Sequence, residues 1–253
     1  MKIWVAVKRV PDTAARIRPD ATGQGVDASD VKFVLNPYDE FAVEEALKLR
    51  EQAGEGEVNV ISVGPAESLP VLRQALAMGA DRAVLLEAES PTGLELDNSQ
   101  VSHALASYLR AQSPDLVLLG RIAVDLQSGA MAAQLARRLD IPRVCDVTSL
   151  EFSDGKFRAQ RLVRGEVEIV EAAPPLVLSA QKGLNEPRYP ALKGILAAKK
   201  KPIETVPAEL GEIRLELVKV TPPTERQPGK IVGEGAEAVP ELLRLLQEEA
   251  KVL

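Results

Sequence analysis

Few residues in this chain could do chemistry, and they are unevenly placed. The run from Gly120 to Gly129, GRIAVDLQSG, leaves an apolar stretch (115–120) and enters a helix-patterned one (127–139). That predicts a strand followed by a helix, with the run at the strand's C-terminal end, where open α/β sheets bind ligands. No acid occurs between Leu126 and Leu139. The N–H groups of Gln127, Ser128 and Gly129 at a helix start would therefore offer a phosphate the positive end of a helix dipole. A plain N-cap at Asp125 or Ser128 fits the same spacing. A second helix start, Asn36-Pro37-Tyr38-Asp39, falls at a similar edge. Asn36 suits the N-cap, Pro37 the first helical position and Asp39 the capping acid. With Asp39 and Glu40 in its first turn it would repel a phosphate, so it suits a sugar or base, or serves only as a cap.

Other chemistries are excluded by what is missing. There is one histidine (His103) and one cysteine (Cys145). They cannot build a Cys/His zinc site, and no metal site is expected. No G-x-S-x-G elbow accompanies His103, so a Ser-His-Asp set is not supported. The Gly-Lys pairs at Gly155 and Gly229 lack the upstream glycine of a phosphate-binding loop. Gly233-Glu-Gly235-Ala-Glu-Ala238 mimics a dinucleotide fingerprint, but only 15 residues follow it, too few for the helix and strand the motif requires. At −6 net charge and 3% aromatic residues the chain is not built to bind nucleic acid. One cysteine allows no internal disulfide, which fits a reducing compartment. No stretch approaches the roughly 20 apolar residues of a membrane span, and no targeting segment is visible. No membrane insertion and a cytoplasmic location are the expectation. Chemistry borrowed from a cofactor or partner is expected too, with the chain itself not an enzyme.

The elements that must position these residues follow from the pattern. Residues 2–8 (KIWVAVK) form a short, nearly continuous apolar run and predict a buried strand. Residues 12–30 are polar, a loop or small hairpin. Helices are predicted over 40–53, 68–78, 97–112 and 127–139, and strands over 57–63, 82–87 and 115–120. This alternation means βαβ crossovers and a parallel sheet. After Pro142 the rhythm changes to strands at 146–152, 156–163, 167–172 and 176–180, with turn signals at Asp154-Gly155 and Arg164-Gly165. The expected fold is a three-layer α/β core, Rossmann-like, over 1–183. It carries a small antiparallel element, one of whose strands rejoins the parallel sheet. Residues 184–253, with a final helix over 237–253, read as an arm that needs something to pack on.

The arm opens with LNEPRYPALKGILAAKKK, 184–201, where five basic residues and one acid leave a local +4. Leu192, Ile195 and Leu196 share one helical face, flanked by cations, a pattern that suits partner docking or packing on the chain's own core. This segment resembles the recognition loop of the electron transfer flavoprotein β subunit. The likeness extends over nearly the whole chain: VAVKRV at 5–10, Asn36-Pro37 with AVEEA at 42–46, ALAMGADR at 75–82 and DLVLLG at 115–120.

The resemblance implies a heterodimer with an α subunit. FAD, held mainly by α, carries electrons from acyl-CoA-type or other dehydrogenases to a quinone-linked acceptor, and the β subunit holds a structural AMP. Carried over residue by residue, the AMP site is Ala6, Asn36, Pro37, Tyr38, Asp39, Val63, Arg121, Asp125, Gln127, Ser128 and Gly129. Thr13 would face the flavin ring. Leu192 would be the docking anchor, with Tyr189, Ile195, Leu196, Lys199 and Lys200 around it. The loop between Asp125 and Gln127 is shorter than in many members. A bifurcating relative would hold a second FAD in place of AMP, and a stand-alone nucleotide-binding regulatory protein is the alternative of another class.

Overall fold

Ile3 and Val5 of the first strand, β1 (Lys2–Ala6), point to one side, and Trp4 and Ala6 to the other; all four are buried. A strand covered on both faces needs apolar residues at consecutive positions, which is why this run does not alternate. The computed structural model describes residues 1–23, 25–89, 96–215, 217–224 and 228–253. After β1 come β2 (Arg9–Pro11), β3 (Phe33–Leu35), α1 (Pro37–Ala53), β4 (Glu57–Gly64), α2 (Leu69–Met78) and β5 (Arg82–Glu87). Then follow α3 (Asn98–Gln112), β6 (Leu116–Gly120), α4 (Met131–Leu139), β7 (Arg143–Ser153), β8 (Lys156–Val163), β9 (Glu166–Ala172), β10 (Leu176–Ala180), α5 (Leu192–Ala198), β11 (Ile203–Pro207) and α6 (Val239–Glu248).

Nine strands form one sheet in the order β11-β5-β4-β1-β6-β10-β7-β8-β9. The seven strands from β11 to β7 run parallel, and β8 and β9 add an antiparallel ribbon. Helices α1 and α2 pack with Ile3 and Val5 on one face, and α3 and α4 with Trp4 and Ala6 on the other. The three-layer α/β expectation is met. The chain leaves β1 toward β4 and β5, then crosses back to β6 on β1's other side. This reversal is a topological switch point, and the crevice beyond it is where the fold leaves room for a ligand.

One open alternative closes and three local elements differ from expectation. The polar stretch 12–30 does close a hairpin, with β2 and β3 as its paired arms. The fourth helix begins at Met131, not at residue 127, because Gln127 (φ 50°) and Gly129 (φ 62°) sit in the left-handed region and hold the chain out of helix. The last helix is shorter than expected, 239–248. Residues 203–207, inside the expected arm, form β11, which pairs with β5 in parallel register from Ile203–Ala83 to Pro207–Glu87. The first compact unit accordingly continues to Val220, and Thr221–Leu253 forms a second. In that second unit α6 is braced by Arg244, which pairs with Glu241 (2.7 Å) and Glu248 (2.6 Å), and it leaves Leu242 and Leu243 substantially exposed. Among the described residues no helix is long and apolar enough to cross a membrane.

Candidate functional site

The crevice at the switch point is built by the C-terminal ends of β1, β4 and β6 and the starts of α1, α3 and α4. It encloses about 720 Å³ of non-protein space, its open mouth included. Apolar walls come from Ile61, Val63, Val101, Leu105, Leu119 and Met131. Polar groups gather at the strand ends: Lys8, Asn36, Asp39, Ser62, Asn98, Arg121 and Ser128.

Asp39 ties the crevice together. Its carboxylate accepts the Lys8 N–H (2.7 Å) on one oxygen and the Gly120 N–H (2.9 Å) on the other, so one helix residue clamps the ends of β1 and β6. Gly120 permits this approach. A Cβ there would lie 2.7 Å from the Tyr38 backbone carbon and side chain, and closer still to the Asp39 carboxylate. Asp39 is 4% exposed, and burial pushes its pKa up to about 7, opposed by hydrogen bonds from Asn36 and the two backbone N–H groups and by the Lys8 charge. The Lys8 ammonium itself pairs with Asp125 at 2.7 Å.

Asn36 does not cap α1 through its side chain. Its amide donates to the Ile122 carbonyl (2.9 Å) and accepts the Val124 N–H (3.2 Å), holding the 120–129 loop against the helix start. Asn98, at the first turn of α3, donates to Ser128 Oγ (2.7 Å) and fixes the other side of that loop. The α4 start has no side-chain cap and no acid in its first turn. It therefore presents an uncompensated positive dipole end to the crevice. Ser62 lies between the crevice residues Ile61 and Val63 on β4, and its Oγ is buried with no hydrogen-bond partner among the described residues.

The structure brings Ala6, Asn36, Asp39, Val63, Arg121, Ser128 and Gly129 together on the crevice wall. Asp125 stands behind it through Lys8. Pro37 and Tyr38 are in the α1 start, with Tyr38 packed edge-on to Phe41 (6.4 Å) rather than lining the space. Gln127 turns back to the Val124 carbonyl (3.4 Å). Thr13 lies outside the lining, exposed in the turn after β2. Sequence reasoning missed Lys8, Ser62 and Asn98 as wall residues; the signal for Lys8 was its place just past a parallel strand. Tyr189, Leu192, Ile195 and Leu196 are elsewhere, on α5 and the stretch before it, and all are exposed. Among the described residues no His/Cys/Asp/Glu group could hold a metal ion.

A mostly parallel sheet covered on both faces, with a crevice at its switch point, places the chain among the open α/β proteins. Comparison narrows the class: residues 25–210 match the family model described as the electron transfer flavoprotein domain. The full chain is 41% identical to the electron transfer flavoprotein subunit beta of Bacillus subtilis, over the whole of both. It is 40% identical over the whole of both to the mitochondrial subunit beta of Oryza sativa subsp. japonica. It is 36% identical to the Homo sapiens subunit beta, over all of this chain and 99% of that one. The chain belongs to the electron transfer flavoprotein family and, within it, is of the β-subunit type.

Proposed function

We propose that the chain pairs with an α subunit as the β half of an electron carrier. The pair takes electrons from acyl-CoA-type or other dehydrogenases and delivers them to a quinone-linked acceptor in the cytoplasm. FAD, bound mainly by α, would supply the redox chemistry. This chain's part is to bind, orient and dock. The features that support AMP in the crevice are an uncapped helix start for the phosphate, and Asn36, Asp39 and Lys8 for the sugar or base.

The observation that carries the reading is the exposed trio Leu192, Ile195 and Leu196 on a basic segment, in a chain of this family. Leu192 is 72% exposed, an anchor waiting for a pocket on another protein. Two surfaces suit the α partner: the apolar outer ribbon with Leu162, Val167 and Ile169 exposed, and the half-exposed leucines of α6. Co-expression with the α subunit tests this. The expected product is a yellow 1:1 heterodimer on size exclusion; a colourless monomer indifferent to α would overturn it.

A further inference from the structure

The segment that displays Leu192 is fastened at both ends. At its root, the Asn185 amide donates to the Phe41 carbonyl (3.0 Å) and to Glu45 (2.8 Å) on α1. Arg188 forks across two α1 carboxylates. Its Nε and Nη2 reach Glu44 at 2.8 and 3.0 Å, and its Nη1 and Nη2 reach Glu51 at 2.6 and 3.1 Å. Its own backbone N–H adds a bond to Glu44 at 3.1 Å. At the far end, Arg73 of α2 donates to the carbonyls of Ala198 (2.5 Å) and Lys201 (2.8 Å). Lys201 returns the contact to the carbonyls of Leu76 and Ala80. Gly194 lets α5 lie directly on α2, since a Cβ there would strike the Ala77 carbonyl oxygen.

Glu44 and Glu45 are consecutive acids, 5% and 3% exposed. Burying two carboxylates is costly unless each is paired and hydrogen-bonded. The Leu192 segment meets that need: it supplies Arg188 to Glu44 and Asn185 to Glu45, which Lys48 of α1 also approaches at 3.6 Å. Burial also pushes the Glu45 carboxyl above its usual range. A segment with three exposed apolar side chains would otherwise sample many arrangements, and ordering it would weaken each encounter with a partner.

We propose that Arg188 is a positioning residue for docking: its fork onto Glu44 and Glu51 holds the Leu192 segment in its displayed form before any partner arrives. This rests on the docking function proposed above.

The test uses the FAD-loaded α/β complex and an acyl-CoA dehydrogenase that reduces the wild type. KM and kcat are measured for Arg188→Ala, Leu192→Ala and the double variant, with amide hydrogen exchange over residues 185–201. Arg188→Ala is expected to raise KM for the dehydrogenase about tenfold with little change in kcat. It should speed exchange across the segment and add almost nothing in the Leu192→Ala background. Arg188→Lys should recover only part, because an ammonium cannot fork two carboxylates. Should the alanine variant not fold, Glu51→Gln, at the exposed half of the fork, is expected to raise KM by a smaller factor. An unchanged KM in the Arg188 variant (or in Glu51→Gln, if that stands in) while Leu192→Ala is impaired would overturn the inference, as would a fully additive double variant. An unchanged Leu192→Ala would sink the docking function instead.

Discussion

Leu192→Ala is expected to raise the KM of the flavin-loaded complex for its dehydrogenase by roughly 30-fold, the equivalent of about 2 kcal/mol at an anchoring contact. Leu192 is 72% exposed in this chain, so its removal takes nothing from the core and should leave Tm and FAD content as they were. Ile195 and Leu196, 43% and 54% exposed, should give smaller effects because part of each is already covered at home. Steady-state reduction checks this, and a wild-type KM for Leu192→Ala would show that the segment does not dock.

The second large effect belongs to Asp39. Asp39→Ala would leave the N–H groups of Lys8 and Gly120 without their acceptor, at about 1–3 kcal/mol each where water cannot replace it. A loss of roughly 2–5 kcal/mol is expected, and with it the nucleotide content of the purified complex. A melt that shifts by less than about 2 °C would contradict the clamp. Asp39→Asn separates charge from shape. Burial holds the Asp39 pKa near 7, above its unfolded value of 3.8, so between those limits the folded chain binds the proton more tightly. Stability owed to this group therefore falls as pH rises from about 4 to 7 and is constant above. Relative to Asp39→Asn, which cannot titrate, the wild type should gain Tm as pH is lowered from 7.5 to 5. Parallel melting curves for the two would refute the assignment.

What the sequence made legible is what local chemistry decides. Continuous apolar runs such as 3–7 and 116–119 required strands buried on both faces, and the change of rhythm after Pro142 required an antiparallel addition. Asp97, read only as a helix start, forms a full capping box with Gln100. What stayed hidden depends on residues far apart in the chain. Asn36 looked like an N-cap, yet its partners are Ile122 and Val124. Asp39 looked like a capping acid, yet it joins β1 to β6. β11 was absorbed into the arm because an edge strand is covered on few sides, and Ile203–Pro207 ends in proline and carries a glutamate. The spacing of Gln127, Ser128 and Gly129 pointed to a loop that borders the crevice, but two left-handed residues move the helix start to Met131. The docking segment was legible as a surface, from its apolar spacing and charge. Its fastening to α1 through Arg188, Glu44 and Glu51 was not.

On the function proposed above, this crevice holds a mononucleotide while the flavin is shared with an α subunit. Denaturing the purified heterodimer and identifying the released small molecules by mass tests it most directly. One FAD and one AMP per heterodimer is the expected result. Two FAD, or no adenine mononucleotide at all, would contradict it.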